Sequence, residues 1–287
     1  MKRILQLFLG AFAKYVKPLK YYIWDLKLSK VRTVKVIEHE EYRFLSYGDI
    51  ARVLYANEHL VSKKKGFEYK TLKIYKSLLE DNFTVLDIGA NIGLFSILGS
   101  NKIGEKGKIY AFEPINKTFE TLKQNLLLNN IENVVPFCLA LSNMVGKVSF
   151  SIPENIENVD TGDAFNAINI GELNNPHANN QADCTELDVF IKEQKIDKVD
   201  LIKIDIEGAE LLCFQGAKEL LGSSSPPIII MECVEHLCSK FNYTVFDLLN
   251  YLHTFGYRFE QYENGQWLAI PKQSIVFKAQ ELLDKNK

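Results

Sequence analysis

The chain lacks the cysteine pattern of a metal cluster or a disulfide framework. Among its 287 residues are five cysteines, an odd number, and no two of them form a CxxC pair. Closely spaced cysteines are typical both of zinc clusters and of small extracellular folds held by disulfides. The sequence therefore favours a reducing compartment and predicts no zinc cluster.

The apolar stretch near the start of the chain is too short to span a bilayer. It covers residues 4–13, after Lys2 and Arg3, whereas a transmembrane helix needs about 20 apolar residues. The Ala-Phe-Ala sequence at 11–13 resembles a signal-peptidase site, so a cleaved leader is one alternative. We favour an amphipathic anchor that lies in the membrane interface.

Acidic residues are scarce in the first 36 positions, where Asp25 is the single acid beside nine Lys or Arg. The whole chain has a formal net charge of −2, so the remainder is acidic. An acidic body predicts no bulk binding to nucleic acid, whereas residues 1–36 could contact an anionic membrane surface. A basic helix that is simply solvated is the alternative.

The length of the chain exceeds the roughly 150 residues of a simple domain but suits one elaborated α/β domain. We predict a basic and apolar extension with short strands over residues 1–66 and one catalytic domain over residues 67–287. Within that domain, residues 152–183 are rich in Asn, Gly and Asp and have little periodicity. Such a segment indicates a lid or substrate-binding insert, with a disordered insertion as the alternative.

Short apolar segments alternate with segments of helical periodicity from residue 83 onward. This alternation is typical of βαβ units and predicts a doubly wound α/β fold with a parallel sheet. The predicted strands are 84–88, 108–112, 134–139, 147–152, 199–204, 228–231, 257–261 and 267–270, and the predicted helices are 68–79, 92–103, 116–129, 209–221 and 244–254.

A glycine-rich turn follows the first of these strands, within Val-Leu-Asp-Ile-Gly-Ala-Asn-Ile-Gly at 85–93. Asp87 lies near the strand end, and Gly89, Asn91 and Gly93 belong to the turn. Here the backbone can approach a ligand closely, and a helix start can offer unpaired N–H groups. The glycines are four residues apart and do not form the G-x-G-x-x-G pattern of a dinucleotide site, which disfavours a nicotinamide oxidoreductase.

A second acid, Glu113, ends the next strand, where a carboxylate can accept hydrogen bonds from both hydroxyls of a ribose. Taken alone, Asp87 could be a helix N-terminal acid and Glu113 an exposed strand-end carboxylate. Together they suit S-adenosylmethionine, which has an ammonium and a carboxylate at its methionine end and a ribose diol. We therefore predict S-adenosylmethionine as the cofactor and, because this molecule is made in the cytosol, a cytoplasmic protein.

With one further motif, these residues make the chain resemble the FkbM-type methyltransferase family. That motif is Asp-Ile-Glu-Gly-Ala-Glu at 205–210, of the form D-x-E-G-x-E. Smaller matches are Glu113-Pro114, Ala140-Leu141-Ser142, Leu187-Asp188, Gly216-Ala217 and Met231-Glu232. The resemblance covers about residues 68–232 and implies a Rossmann-like sheet of seven strands in the order 3-2-1-4-5-7-6, with strand 7 antiparallel.

The resemblance also implies where the donor binds and what the enzyme does. Loops after residues 88, 112 and 204 would open into one crevice. The implied donor residues are Asp87, Gly89, Asn91, Gly93, Glu113, Ser142 and Asp205, with Ser142 beside the adenine. The implied activity is methylation of a hydroxyl on a small molecule or glycan: a sugar, a glycolipid, a polysaccharide or a secondary metabolite.

Three acids at this crevice are candidates for the base that takes the proton of the acceptor: Asp205, Glu207 and Glu232. A strand running through Lys203, Asp205 and Glu207 would give all three the same parity, and Glu232 ends another buried strand. Stabilisation of a helix N-terminus is the alternative for Glu207. The three acids and His236 lack tight metal-ligand spacing, so we predict no bound metal. A membrane-associated binding module without turnover is the competing function.

Overall fold

The computed structural model of the protein describes residues 35–39, 42–46, 69–150, 168–169 and 181–272. The predicted basic segment 1–36, the predicted insert 152–183 and the predicted boundary near residue 66 lie almost wholly outside these residues. In the described part of the chain, no helix is both long and apolar enough to cross a bilayer.

The described strands belong to three sheets. The strands are β1 (Lys35–His39), β2 (Tyr42–Ser46), β3 (Thr84–Ile88), β4 (Lys108–Phe112), β5 (Val134–Phe137), β6 (Ala140–Ser142), β7 (Gly146–Phe150), β8 (Ile168–Asn169), β9 (Gln181–Glu186), β10 (Leu201–Ile204), β11 (Ile228–Glu232), β12 (Tyr257–Glu263) and β13 (Gln266–Pro271). The central sheet has the order β12-β13-β11-β10-β3-β4-β5. Strand β13 runs antiparallel to both of its neighbours, and the other pairs are parallel. This is the strand order that the resemblance implied.

Helices cover both faces of this sheet. They are α1 (Tyr69–Leu78), α2 (Leu94–Ser100), α3 (Asn116–Leu128), α4 (Leu187–Glu193), α5 (Glu210–Gln215), α6 (Lys218–Leu221), α7 (Glu235–Cys238) and α8 (Val245–Thr254). One face of the sheet presents Val85 and Leu201 to α1, α2 and α3. The other face presents Leu86 and Ile202 to α4, α5 and α8. Because the central strands are buried on both sides, they are apolar almost throughout, and the predicted doubly wound α/β class is confirmed.

The predicted helix 209–221 is wrong as a single element, because the structure breaks it into α5 and α6. The side chain of Asp188, in the first turn of α4, accepts hydrogen bonds from the N–H groups of Glu219 (2.8 Å) and Leu220 (3.0 Å). These groups start a new helix, and the N–H of Asp188 in turn donates to the Gly216 carbonyl (2.9 Å). A side chain distant in sequence therefore divides the helix.

Two smaller sheets flank the central one. Strand β7 is the predicted strand 147–152 and lies in a four-stranded sheet of order β6-β9-β7-β8. The β1–β2 hairpin packs on α3, where the Asn125 side chain exchanges two hydrogen bonds with the backbone of Leu45 (2.6 and 3.1 Å). Asn125 also donates to the Ile92 carbonyl (2.9 Å), so the hairpin is connected to the glycine-rich turn.

Candidate functional site

The tips of β3, β4 and β10 meet at one edge of the central sheet, as the sequence predicts. The N–H of Asp205 donates to the carbonyl of Ile88 (3.0 Å), and the N–H of Gly89 donates to the carbonyl of Phe112 (3.0 Å). The N–H of Asn91 donates to the Glu113 carboxylate (3.1 Å). Residues from three separated segments are thus within hydrogen-bonding distance of one another at the carboxyl ends of the strands, where open α/β sheets bind ligands.

Glycine is required at both ends of the turn. Gly89 has a φ of +79°, and a Cβ atom there would lie 1.9 Å from the carbonyl oxygen of Asp205. Gly93 has a φ of +94°, and a Cβ atom there would lie 2.5 Å from a methyl of Leu122. A side chain at either position would clash and would also strain the backbone. The spacing of the two glycines therefore follows from how the turn packs between β10 and α3.

The backbone N–H groups of this turn are mostly engaged within the protein, which differs from the expectation that a helix start would offer them to a ligand. The N–H groups of Gly89 and Ala90 both donate to Phe112, and that of Gly93 donates to Ala90. That of Ile92 donates to the Asn91 side chain (2.7 Å). The reason is that α2 begins only at Leu94, two residues later than predicted, after a tight turn that satisfies its own donors.

Asp87 is fully buried beneath the start of α2. Its Oδ2 accepts a hydrogen bond from the Ser96 hydroxyl (2.6 Å), and its Oδ1 has no hydrogen-bond partner. Burial raises the pKa of Asp87, and the positive charge of Lys203 opposes that rise. The carboxylate thus supports the first turn of α2 while one oxygen still lacks a donor.

Glu113 follows the last residue of β4 and is 6% exposed. Its Oε1 accepts from the N–H of Ile115 (2.9 Å) and its Oε2 from that of Asn91 (3.1 Å). Each carboxylate oxygen has a second lone pair, so two further donors can be accepted. Burial raises the pKa of Glu113 to about 7, even though both hydrogen bonds and Lys203 lower it. Its two backbone bonds fix its orientation, and the ribose role of Glu113 stays a prediction.

The contacts of Ser142 lie in the four-stranded sheet and at Gly216, not with the residues at the strand tips described above. It ends β6 in the four-stranded sheet, is 3% exposed, and directs its hydroxyl towards the Asn143 side chain (3.5 Å). Its carbonyl oxygen is packed against Gly216 between α5 and α6. The role of Ser142 beside an adenine stays a prediction.

The three candidate bases are brought together beside the glycine-rich turn. One carboxylate oxygen from each of Asp205, Glu207 and Glu232 lies within 4.8 Å of the others, and we call these residues the acidic triad. Such spacing can hold a cation, or several hydrogen-bond donors of one ligand. His236 is exposed on α7 and is not a member of this group.

Glu207 reaches the triad by a route that differs from the predicted one. No strand runs through Lys203, Asp205 and Glu207, because β10 ends at Ile204. The chain then turns, and Glu207 adopts a φ of +57°. Burial and the neighbouring charges of Asp205 and Glu210 raise the pKa of Glu207 to about 7. At neutral pH this carboxyl group can therefore both hold and accept a proton.

Residues 87–259, more than half of the chain, match the methyltransferase FkbM domain. The chain belongs to the FkbM methyltransferase family. The matched segment contains both the glycine-rich turn and the acidic triad, so the site described above lies within the family domain.

Two relatives and one solved structure show how far this FkbM methyltransferase resembles known proteins. It is 27% identical over 148 residues to Methyltransferase 1 of Beauveria bassiana, covering 48% of this chain and 59% of that protein. It is 29% identical over 164 residues to Methyltransferase sdnD of Sordaria araneosa, covering 49% and 62%. The chain thus matches about three fifths of the length of these curated relatives. A crystal structure of a SAM dependent methyltransferase from Aquifex aeolicus aligns with a TM-score of 0.39 at 18% identity, covering 70% of this chain and 86% of that one.

Sequence reasoning did not include Lys203 in the site. This lysine is 5% exposed and lies opposite Asp87 in the β3–β10 register. Its ammonium group is 3.4 Å from Asp205 Oδ2 and 4.7 Å from the ring centroid of Phe95. A lysine within the buried strand Leu-Ile-Lys-Ile was the available signal, because lysine is almost never fully buried unless it is paired.

Proposed function

We propose that this FkbM methyltransferase uses S-adenosylmethionine to methylate a hydroxyl group on a small molecule or a glycan. The observation that carries the proposal is the meeting of three strand tips beside the acidic triad. A donor held at Glu113 and the glycine-rich turn would then lie next to groups able to take a proton.

The donor side of the crevice suits S-adenosylmethionine. Glu113 has acceptor capacity for a ribose diol, and the turn from Gly89 to Gly93 lies beside it, since the N–H of Asn91 donates to the Glu113 carboxylate. Bound there, S-adenosylmethionine supplies a methyl group on a positively charged sulfur. The acids Asp87, Glu113 and Asp205 would favour that positive charge.

The acceptor side suits a hydroxyl group. A hydroxyl oxygen loses its proton as it is methylated, and a carboxylate within hydrogen-bonding distance can accept that proton. Glu207, with a pKa of about 7, has a proton affinity that is matched to neutral pH. Three neighbouring carboxylates can also accept several hydroxyl hydrogen bonds at once, which favours a polyol such as a sugar.

Glu232 is held as the second carboxylate by its neighbour on β13. The Gln266 amide donates to Glu232 Oε1 (3.0 Å), and the two residues are opposite each other in the β11–β13 register. One oxygen is thereby fixed, so the carboxylate orientation is set before an acceptor binds. We propose that Glu232 orients the acceptor hydroxyl and that Glu207 receives its proton.

The proposal is tested by incubating the purified protein with S-adenosylmethionine and a panel of sugars, glycolipids and phenols. We expect S-adenosylhomocysteine to be released with at least one hydroxylated acceptor. Glu207→Gln and Glu232→Gln should lower kcat roughly 10²- to 10⁴-fold while S-adenosylmethionine still binds. If the protein binds the donor but the two variants turn over as fast as the unaltered chain, the assignment of the base is wrong. If it does not bind the donor at all, the proposed function is wrong.

We also propose that the protein acts in the cytoplasm, where S-adenosylmethionine is made. Contact of residues 1–36 with the inner face of an anionic membrane remains a prediction from their charge. Sedimentation with vesicles containing phosphatidylserine, compared with neutral vesicles, tests it. Equal sedimentation with both kinds of vesicle would contradict it.

A further inference from the structure

A buried pair of polar side chains lies behind the acidic triad, on the protein side of the turn that carries Glu207. Glu210 is 1% exposed and Tyr243 is 8% exposed. Glu210 begins α5, and Tyr243 follows the short 3-10 turn Ser239–Phe241. In the sequence, Glu210 ends the D-x-E-G-x-E motif and could stabilise a helix N-terminus, whereas nothing singles out Tyr243.

Glu210 holds the backbone on both sides of Glu207. A single oxygen of Glu210, Oε1, accepts hydrogen bonds from the N–H groups of Ile206 (3.0 Å) and Gly208 (3.2 Å). With the residues before and after it bound to the same atom, Glu207 must loop outwards. The left-handed backbone conformation of Glu207, with a φ of +57°, is what turns the chain outwards there. Its side chain then meets those of Asp205 and Glu232.

Tyr243 binds the same turn at Gly208, the residue after Glu207. Its hydroxyl donates to the Gly208 carbonyl (2.7 Å) and lies 3.2 Å from Glu210 Oε2. A phenol has one proton, so the shorter contact is the hydrogen bond that Tyr243 donates. Glu210 Oε1, the N–H and carbonyl of Gly208 and the Tyr243 hydroxyl therefore belong to one buried network. Such networks are strong because water does not compete for their members.

We propose that Glu210 and Tyr243 are positioning residues that hold the 205–208 turn, so that the Glu207 carboxylate meets those of Asp205 and Glu232. This inference rests on the proposed function of the triad as the proton-accepting side of the crevice. The pair does not touch the acceptor. It acts through the backbone of Glu207, and it determines whether that carboxylate is within reach of the acceptor proton.

The test compares Tyr243→Phe with Tyr257→Phe, a matched control. Tyr257 is also buried, and its hydroxyl also donates to a backbone carbonyl, that of Pro227 (2.9 Å). Pro227 precedes β11, at the opposite end of that strand from Glu232. Both variants lose one buried hydroxyl, but only Tyr243→Phe loosens the turn.

We expect Tyr243→Phe to lower kcat roughly ten- to a hundredfold, because small misplacements of catalytic groups have effects of that size. The KM for S-adenosylmethionine should change less than about threefold, since Glu113 and the glycine-rich turn are untouched. Tyr257→Phe should leave kcat unchanged. Equal kcat values for the two variants, or a Tyr243→Phe defect confined to the donor KM, would overturn the proposal.

Variants of Glu210 separate positioning from chemistry. Glu210→Gln keeps an oxygen that can accept from Ile206 and Gly208, whereas Glu210→Ala removes it. We expect Glu210→Ala to lose at least as much kcat as Tyr243→Phe and Glu210→Gln to recover most of it. A Glu210→Gln variant as slow as Glu210→Ala would show that a carboxylate is required for its charge, which contradicts a positioning role.

Hydrogen exchange provides a measurement that does not depend on turnover. The amides of Ile206 and Gly208 should exchange faster in Tyr243→Phe and Glu210→Ala than in Tyr257→Phe. If the unaltered protein fails to bind S-adenosylmethionine, the proposed function falls, and the exchange rates still decide whether the pair holds the turn. Unchanged exchange at both amides would refute the positioning role.

Discussion

The buried carboxyl group of Glu210 makes a specific prediction about how stability depends on pH. Burial raises its pKa to about 7 in the folded protein, from an ordinary value of 4.5. The folded state therefore binds a proton more tightly than the unfolded state does. The stabilisation from this group is fully present below pH 4.5 and is lost as the pH rises towards 7. Glu210→Gln, which cannot titrate, lacks this dependence.

The magnitude follows from the size of the pKa shift. Each pKa unit corresponds to about 1.36 kcal/mol. Between pH 5 and pH 8, the free energy of unfolding of the unaltered protein should fall by roughly 2–3 kcal/mol relative to that of Glu210→Gln. The figure counts Glu210 alone, and the charge of Glu210 also raises the pKa of Glu207, so the Gln variant differs in the titration of both acids.

Urea unfolding at constant ionic strength, followed by far-ultraviolet circular dichroism at pH 5, 6, 7 and 8, measures this difference. The two curves of unfolding free energy against pH should converge or cross as the pH rises, with the Gln variant gaining relative stability. Parallel curves would refute the reasoning, because they would mean that Glu210 has the same proton affinity in the folded and unfolded chains.

Four further predictions concern the crevice. Gly89→Ala should weaken S-adenosylmethionine binding by roughly tenfold or more, since the added methyl would lie 1.9 Å from the Asp205 carbonyl oxygen. Calorimetric titration measures the affinity, and an unchanged affinity would contradict the prediction. The rate should rise with pH through about 7 as Glu207 loses its proton and should level off above pH 8; a pH–rate profile that is flat from 6 to 8 would exclude Glu207 as the base. Cys138, the one exposed cysteine of the five, lies near Glu113 and the predicted donor site. Saturating S-adenosylhomocysteine should therefore slow the modification of Cys138 by a thiol reagent, which mass spectrometry can follow. Labelling at an unchanged rate would mean that the donor binds elsewhere. Treatment with EDTA should leave turnover unaltered, because the triad is proposed to accept a proton and to bind the acceptor. Activity that is lost with EDTA and restored by Mg²⁺ would instead mean that the triad binds a cation.

The sequence predicts most of the fold because the strands and helices follow from the spacing of apolar residues along the chain. Strands buried on both faces are short apolar runs, and the helices between them have one apolar face. The same pattern could not reveal the break between α5 and α6. That break depends on the side chain of Asp188, which lies in a different helix, and tertiary contacts of this kind have no local signal.

The sequence predicts that the three candidate bases lie close together, but not the geometry that brings them together. Asp205, Glu207 and Glu232 were named from motif and strand position, and they are close together in the structure. The reason given for Glu207 was wrong, since a turn and not a strand brings it there. The turn depends on Tyr243, 36 residues farther along the chain. Neither periodicity nor spacing can relate residues that meet only after the sheet has formed.

The charges around the crevice explain why a buried lysine belongs in it. Burial raises the pKa of Asp87, Glu113 and Glu207, and the positive charge of Lys203 lowers the pKa of all three. Without that charge, the acids would be protonated more fully at neutral pH and would attract a sulfonium less strongly. With it, the crevice retains negative charge, which would favour the cationic donor proposed above over its neutral product. Lys203 therefore sets the charge of the crevice through the ionisation of three neighbouring acids as well as through its own ammonium group.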